Sequence, residues 1–213
     1  MSKENSSYYD INCDVMLEEI PDAKLSEVMY VKDLKQRKLY LNDDINSVSA
    51  VEIVHHILQF NADDRGVPDE ERKPILLYVA SCGGSVDAGF ALIDAIRCSK
   101  TPVYTINIGF QYSMGFLIGL AGHKRFAMPN ARFLLHDGSD FVYDSGAKAQ
   151  DQMEFHKKAD ARTKEYILAM SRITPEEYDS KFRVEWYMFS DEAKKYGFTD
   201  FIVGQDCDID VIV

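Results

Sequence analysis

Val103-Tyr104-Thr105-Ile106-Asn107-Ile108-Gly109-Phe110-Gln111-Tyr112-Ser113-Met114-Gly115-Phe116-Leu117-Ile118-Gly119-Leu120-Ala121 passes from a strand-like run into an apolar, helix-like one. The β-branched residues of 103–109 predict a buried strand, and the run after Ser113 predicts a helix. A serine at that junction faces the unpaired amides and the positive dipole end of the new helix, where an oxyanion is stabilised. Taken alone, such a serine is most often a helix cap.

The same grammar occurs one unit upstream. Pro74-Ile75-Leu76-Leu77-Tyr78-Val79-Ala80 predicts a buried strand, ending in Ser81-Cys82-Gly83-Gly84-Ser85. Ala88, Ala91, Leu92, Ala95 and Ile96 then form a helical stripe. Strand and helix alternating at short intervals predict an α/β fold with a parallel-rich sheet and helices on both faces. Ligands in such sheets sit beyond the carboxyl ends of strands. Segments 81–85 and 109–113 both lie at such ends, so the pattern brings them together.

Outward from this core, Lys38-Leu39-Tyr40-Leu41 predicts a strand stopped by Asn42-Asp43-Asp44. Asp44 or Ser47 then caps a helix reaching to about residue 60. Residues 61–73, with Gly66 and Pro68, predict an exposed loop. Residues 124–130 and 132–136 predict short strands and turns. The charged stretch 147–170 predicts a long helix with a mostly exposed surface. Residues 1–30 are acidic and weakly patterned and predict an arm, with a single domain over 31–203 and an acidic tail over 204–213.

At 213 residues the chain can bury one substantial core. Its net charge of −11 repels phosphate backbones and anionic lipid, which excludes nucleic acid and membrane as expected partners. No apolar run approaches the roughly 20 residues that span a bilayer. Met1–Ser7 lacks the basic and apolar regions of a secretory signal, so a cytoplasmic location is expected. Cys13, Cys82, Cys98 and Cys207 are far apart and match neither a disulfide framework nor a zinc site. No metal or other cofactor is expected, and no P-loop pattern is present.

A serine nucleophile needs a base, an oxyanion hole and an orienting carboxylate. Of the five histidines, His136 alone follows a buried-looking strand and precedes a turn. His55, His56, His123 and His156 read as surface or packing residues. Gly83-Gly84 lets the backbone approach a ligand closely, and Met114 offers an amide from the helix start. Glu185 can orient an imidazole as well as an aspartate can. Each feature also has a plainer reading: a cap, a turn, a structural histidine, a solvated charge.

Five motifs in one order resolve that ambiguity. Ser81-Cys82-Gly83-Gly84-Ser85-Val86-Asp87-Ala88-Gly89-Phe90-Ala91, Ser113-Met114-Gly115-Phe116-Leu117, Lys124-Arg125-Phe126-Ala127-Met128-Pro129-Asn130-Ala131, Leu135-His136 and Asp191-Glu192-Ala193-Lys194-Lys195-Tyr196-Gly197 resemble the proteolytic subunit of the Clp protease, from about residue 37 to 203. The resemblance implies a crotonase-like spiral with a projecting strand–helix handle at about 137–170. It implies a serine endopeptidase with Ser113 as nucleophile, His136 as base, and Gly84 and Met114 as oxyanion-hole positions. It also implies two stacked heptameric rings (a tetradecamer) and a separate AAA+ unfoldase that delivers unfolded polypeptide.

The sequence departs from that family at several places. The third triad member, usually aspartate, falls on Glu185, and the run Arg183-Val184-Glu185-Trp186 replaces the usual Arg-Asp pair. Cys82 stands where proline is usual, and Asp137-Gly138 replaces Gln-Pro, which makes Asp137 the alternative acid. The rival readings are a catalytically weak or inactive ring subunit and a crotonase-type acyl-CoA enzyme.

Overall fold

The computed structural model describes residues 24–138, 145–181 and 183–213. Its strands are β1 (Lys38–Leu41), β2 (Ile75–Ser81), β3 (Val103–Tyr112), β4 (Lys124–Ala127), β5 (Arg132–Leu135), β6 (Trp186–Phe189) and β7 (Phe201–Ile202). The helices are α1 (Leu25–Lys35), α2 (Ser47–Asp63), α3 (Val86–Cys98), α4 (Met114–Leu120), α5 (Gly146–Met170), α6 (Pro175–Lys181) and α7 (Ser190–Lys195). The strands form one sheet of order β1-β2-β3-β4-β7, with β5 paired to β3 and β6 to β5. Every pairing is parallel except β5 with β6. The α/β, mostly parallel expectation therefore holds.

Strand β3 is the axis of the molecule because it changes partner along its length. Tyr104–Asn107 pair with β4, and Phe110–Tyr112 pair with β5. The fully buried Asn107 sits where β4 is left behind. Its Nδ2 donates to Arg132 O at 2.9 Å, and its Oδ1 accepts from Gly109 N at 3.0 Å. The side-chain amide thus supplies the backbone partners that a splitting sheet would otherwise leave unmade. The strand runs to Tyr112, past the Gly109 end expected from its apolar run, because β5 extends the ladder.

Alternation along β2 separates two apolar layers. Ile75, Leu77 and Val79 belong to the main core with residues of all seven helices or their ends, whereas Leu76 and Tyr78 face a smaller cluster with Ile106, Phe126, Val203 and Ile212. Among the described residues, that cluster contains no α-helix residue. The C-terminal turn Ile209–Ile212 supplies the cover instead, with Ile212 buried and its carbonyl accepting from the Tyr78 hydroxyl. The stretch 204–213 is therefore a docked segment as well as an acidic one.

Three local expectations also shift. Helix α1 begins inside the stretch read as an arm, and it buries Val28 and Leu34. Residues 1–23 of that arm lie outside the described residues. The cap of α2 is Asn46, whose Oδ1 accepts from Val48 N and Ser49 N at 2.8 and 3.1 Å; it is neither Asp44 nor Ser47. Helix α5 matches the long charged helix closely. Its one buried residue is Ile167, near the end where Tyr166 donates to Leu117 O and Arg125 donates to Met170 O. Most of its other residues are exposed. Residues 139–144 of the handle expected at about 137–170 lie outside the described residues.

Candidate active site

Ser113 leaves β3 with φ +53° and ψ −122°, a backbone conformation that non-glycine residues adopt rarely. The turn is held on both sides. Its N–H donates to Leu134 O at 3.0 Å, and its carbonyl accepts from Phe116 N at 3.0 Å. The hydroxyl makes no capping bond to α4. Ser113 is therefore not the ordinary N-cap that its position alone suggests.

Sheet register delivers the next two groups. Tyr112 pairs with Leu134, so His136 emerges from β5 at the same end of the sheet as Ser113. Leu134 pairs with Tyr187 and Leu135 with Trp186 in the antiparallel β5–β6 ladder. One step further along that register sets Glu185 opposite His136. Glu185 Oε1 lies 2.9 Å from His136 Nδ1, and Glu185 Oε2 accepts from the Tyr187 hydroxyl at 3.1 Å. The hydrogen bond from His136, then that from Tyr187, holds the Glu185 carboxyl below its ordinary pKa. Tyr187 is raised in turn, chiefly by its bond to Glu185. Residues 185 and 187 share one face of the strand, which is the signal that could have found Tyr187 in the sequence.

The glycine turn forms the opposite wall. Ser81 Oγ accepts from Gly83 N at 3.1 Å and donates to Asp43 O at 2.7 Å. Ile45 N donates to Gly83 O at 2.9 Å, and Ser85 N donates to Ile45 O at 2.7 Å. In such a bridge the residue between, Gly84, points its own N–H away from Ile45. Gly83 has φ +107°, and a Cβ there would lie 2.8 Å from Ser113 Cβ and 3.1 Å from Met114 N. Glycine is thus required for the loop to pass this close to the serine. Met114 opens α4, and its N–H is among the amides the helix leaves unpaired.

Ser113, Met114, Gly84, His136 and Asp137 all line one cleft of about 330 Å³. Glu185 stands behind His136, outside that lining. Asp137 is in the cleft, while the bond to Nδ1 of His136 comes from Glu185. His156, expected to be a surface residue, lines the cleft from α5. His123 is used structurally, its Nδ1 accepting from Val103 N at 3.0 Å. Among the described residues no group of three or more His, Cys, Asp or Glu side chains could hold a metal ion. Cys82, Cys98 and Cys207 are free thiols, and no described helix is long and apolar enough to cross a membrane.

The arrangement offers a hydroxyl on a strained turn, an imidazole with an ordered carboxylate partner, and two converging amide positions. Those are the parts required for acyl transfer. A family model for Clp protease matches residues 23–206. The ATP-dependent Clp protease proteolytic subunit 1 of Streptomyces avermitilis is 35% identical over 190 residues, covering 86% of this chain and 82% of that protein. The ATP-dependent Clp protease proteolytic subunit 2 of Treponema pallidum is 28% identical over 202 residues, covering 93% and 98%.

Proposed function

The chain belongs to the Clp protease family, and from that premise we propose that its peptidase chemistry runs through Ser113, His136 and Glu185. The family makes it a serine endopeptidase subunit. In the proposed reaction Ser113 Oγ attacks the scissile carbonyl carbon while its proton passes to His136 Nε2. Glu185, bonded to Nδ1, keeps the imidazole in the tautomer that can accept that proton. The carbonyl oxygen becomes an oxyanion held by the N–H groups of Gly84 and Met114. Collapse of the tetrahedral intermediate breaks the C–N bond, and His136 returns the proton to the leaving amine. Water activated by His136 then hydrolyses the acyl-serine ester and frees the enzyme.

The observation that carries this reading is the 2.9 Å bond between His136 Nδ1 and Glu185 Oε1 at a cleft that also holds Ser113. The substrate is unfolded polypeptide, in a cytoplasmic compartment. The working form is a tetradecamer of two heptameric rings fed by a separate AAA+ unfoldase. Support for the assembly and the partner comes from the family alone.

The test is cleavage of casein and a small fluorogenic peptide by wild type and Ser113→Ala, with labelling by a fluorophosphonate probe and a mass measurement of the assembly. Wild type should cleave both substrates and take one label per chain, and Ser113→Ala should do neither. Cleavage that survives Ser113→Ala would overturn the mechanism. An assembled but unlabelled wild type would leave a purely structural ring subunit.

A further inference from the structure

Ser113 and His136 ride on the ends of two strands, and a buried side chain sits where those strands begin to run together. Asn107 is fully buried in the middle of β3. It is the last β3 residue paired with β4, opposite Ala127. Beyond it the ladder to β2 slips: Val79 pairs with Asn107 but Ser81 with Gln111, so residues 108–110 stand opposite Ala80 alone. Such a bulge disrupts the ladder, frees backbone groups and bends the strand. Asn107 Oδ1 takes up one of them, accepting from Gly109 N at 3.0 Å. Its Nδ2 donates at 2.9 Å to the carbonyl of Arg132, the first residue of β5. A buried amide is costly unless such bonds are made, so these two contacts account for a polar residue at this position.

We propose that Asn107 is a positioning residue for the peptidase reaction: by tying the bulge of β3 to the first residue of β5, it sets the distance between Ser113 and His136. The proposal rests on those two being nucleophile and base. Asn107 does not line the cleft, so it acts only through the strands. Beyond Asn107, β3 and β5 share three register pairs: Phe110 with Arg132, Gln111 with Phe133, and Tyr112 with Leu134. The pairing closes with Ser113 N donating to Leu134 O at 3.0 Å. So short a parallel ladder resists sliding weakly without a clamp at its lower end. A slide of one residue is about 3.3 Å, and a misplacement of about 1 Å already costs about 10²-fold in rate. Strand β5 is tied to β6 from Arg132 with Phe189 to Leu135 with Trp186. Any slide of β5 therefore carries His136 and Glu185 together and parts both from Ser113. Loss of the Asn107 clamp weakens the attack while leaving the base with its acid.

Two variants separate the contacts. Asn107→Ala removes both. Asn107→Ser keeps a hydroxyl able to accept from the amide two residues on, at Gly109, but loses the amide that donates to Arg132 O. Ile212→Ala, in the other apolar layer, is the control for destabilisation alone. Fluorophosphonate labelling of Ser113 is followed against pH at matched folded fraction, beside steady-state cleavage of a fluorogenic peptide and urea denaturation. In both Asn107 variants the plateau labelling rate and kcat should fall about ten- to hundred-fold with little change in KM. The midpoint of the pH profile, which follows His136 and Glu185, should not move. Ile212→Ala should lose stability and keep the wild-type labelling rate. An Asn107→Ser labelling rate that falls no further than that of Ile212→Ala, or a pH midpoint that moves with the rate, would overturn the proposal and leave the peptidase reading intact. So would an Asn107→Ser chain that does not fold, since the side chain would then be supporting the fold rather than the pair. A wild type that takes no label would remove both.

Discussion

At the scale of single residues, the Glu185 carboxylate is bonded on both oxygens, to His136 and to Tyr187, and yet its side chain is 58% exposed. An exposed carboxylate contributes little binding energy, so its value lies in orientation. The extra methylene of glutamate is accommodated because β6 starts at Trp186 and leaves Glu185 one position outside the ladder. Glu185→Gln removes the charge and keeps the shape. Loss of the correct tautomer should lower kcat by about 10²–10⁴-fold with little change in KM. Tyr187→Phe removes only one support of the carboxylate and should cost less, about two- to five-fold, a fraction of one hydrogen bond. The depressed pKa of Glu185 means that it remains ionised below the ordinary carboxylate range. Tyr187→Phe removes one of the two bonds that hold this carboxyl down, so the loss of activity on the acid side should move to higher pH in that variant. A Tyr187→Phe defect as deep as that of Glu185→Gln would show that the phenol takes part directly.

At the scale of elements, one carboxylate ties three pieces of the fold together. Asp64, at the end of α2, accepts Arg37 Nη1 and Nη2 at 2.6 and 2.5 Å from the α1–β1 turn, and Thr101 Oγ1 at 2.7 Å from the start of β3. Burial alone would raise its pKa, and the bonds from Arg37 and Thr101 outweigh that and lower it. A carboxylate with a depressed folded pKa stabilises above its unfolded value and loses that contribution as pH falls through the folded one. Asp64→Ala should cost about 3–5 kcal/mol at neutral pH, since Arg37 is left half-buried without its partner. Urea denaturation should show the gap from wild type closing below about pH 4; a gap constant with pH would mean that packing, not charge, is lost. This junction was not legible in the sequence, because Arg37, Asp64 and Thr101 carry no periodic signal and meet only through tertiary structure. The strand–turn–helix units around Gly83 and Ser113 were legible because β2 and α4 are apolar runs, α3 carries an apolar stripe, and glycine or serine follows β2 and β3. Glu185 was found only from its place in the downstream motif, since spacing alone marks it as a solvated charge. Tyr187 and His156 were missed because their roles depend on β5–β6 register and on where α5 docks.

At the scale of the whole molecule, the sheet separates a helix-covered face, which holds the main core, from a face covered by the chain's own C-terminal turn. That second face is rich in aromatic residues. Tyr40 stacks on its register partner Tyr78 at 4.8 Å, and Tyr104 packs against Phe126 with Lys124 above it. Tyrosine suits the position because its ring buries against the sheet while its hydroxyl reaches water or a carbonyl. Tyr78 uses its hydroxyl on Ile212 O, and burial pushes that phenol up to about 12. Deleting residues 209–213 should therefore remove both the buried isoleucine and the phenol's partner. Full burial of one isoleucine is worth about 1.5–3 kcal/mol and a hydrogen bond about 1 kcal/mol. The truncated chain, and to a lesser degree Ile212→Ala, should unfold at lower urea and bind more of a hydrophobic dye. The rate of Ser113 labelling should not change, because the serine junction packs on the opposite side with α3 and α4. A labelling rate that falls with the truncation would mean instead that the two faces are coupled through β3, the strand that carries Ile106 on one side and ends just before Ser113.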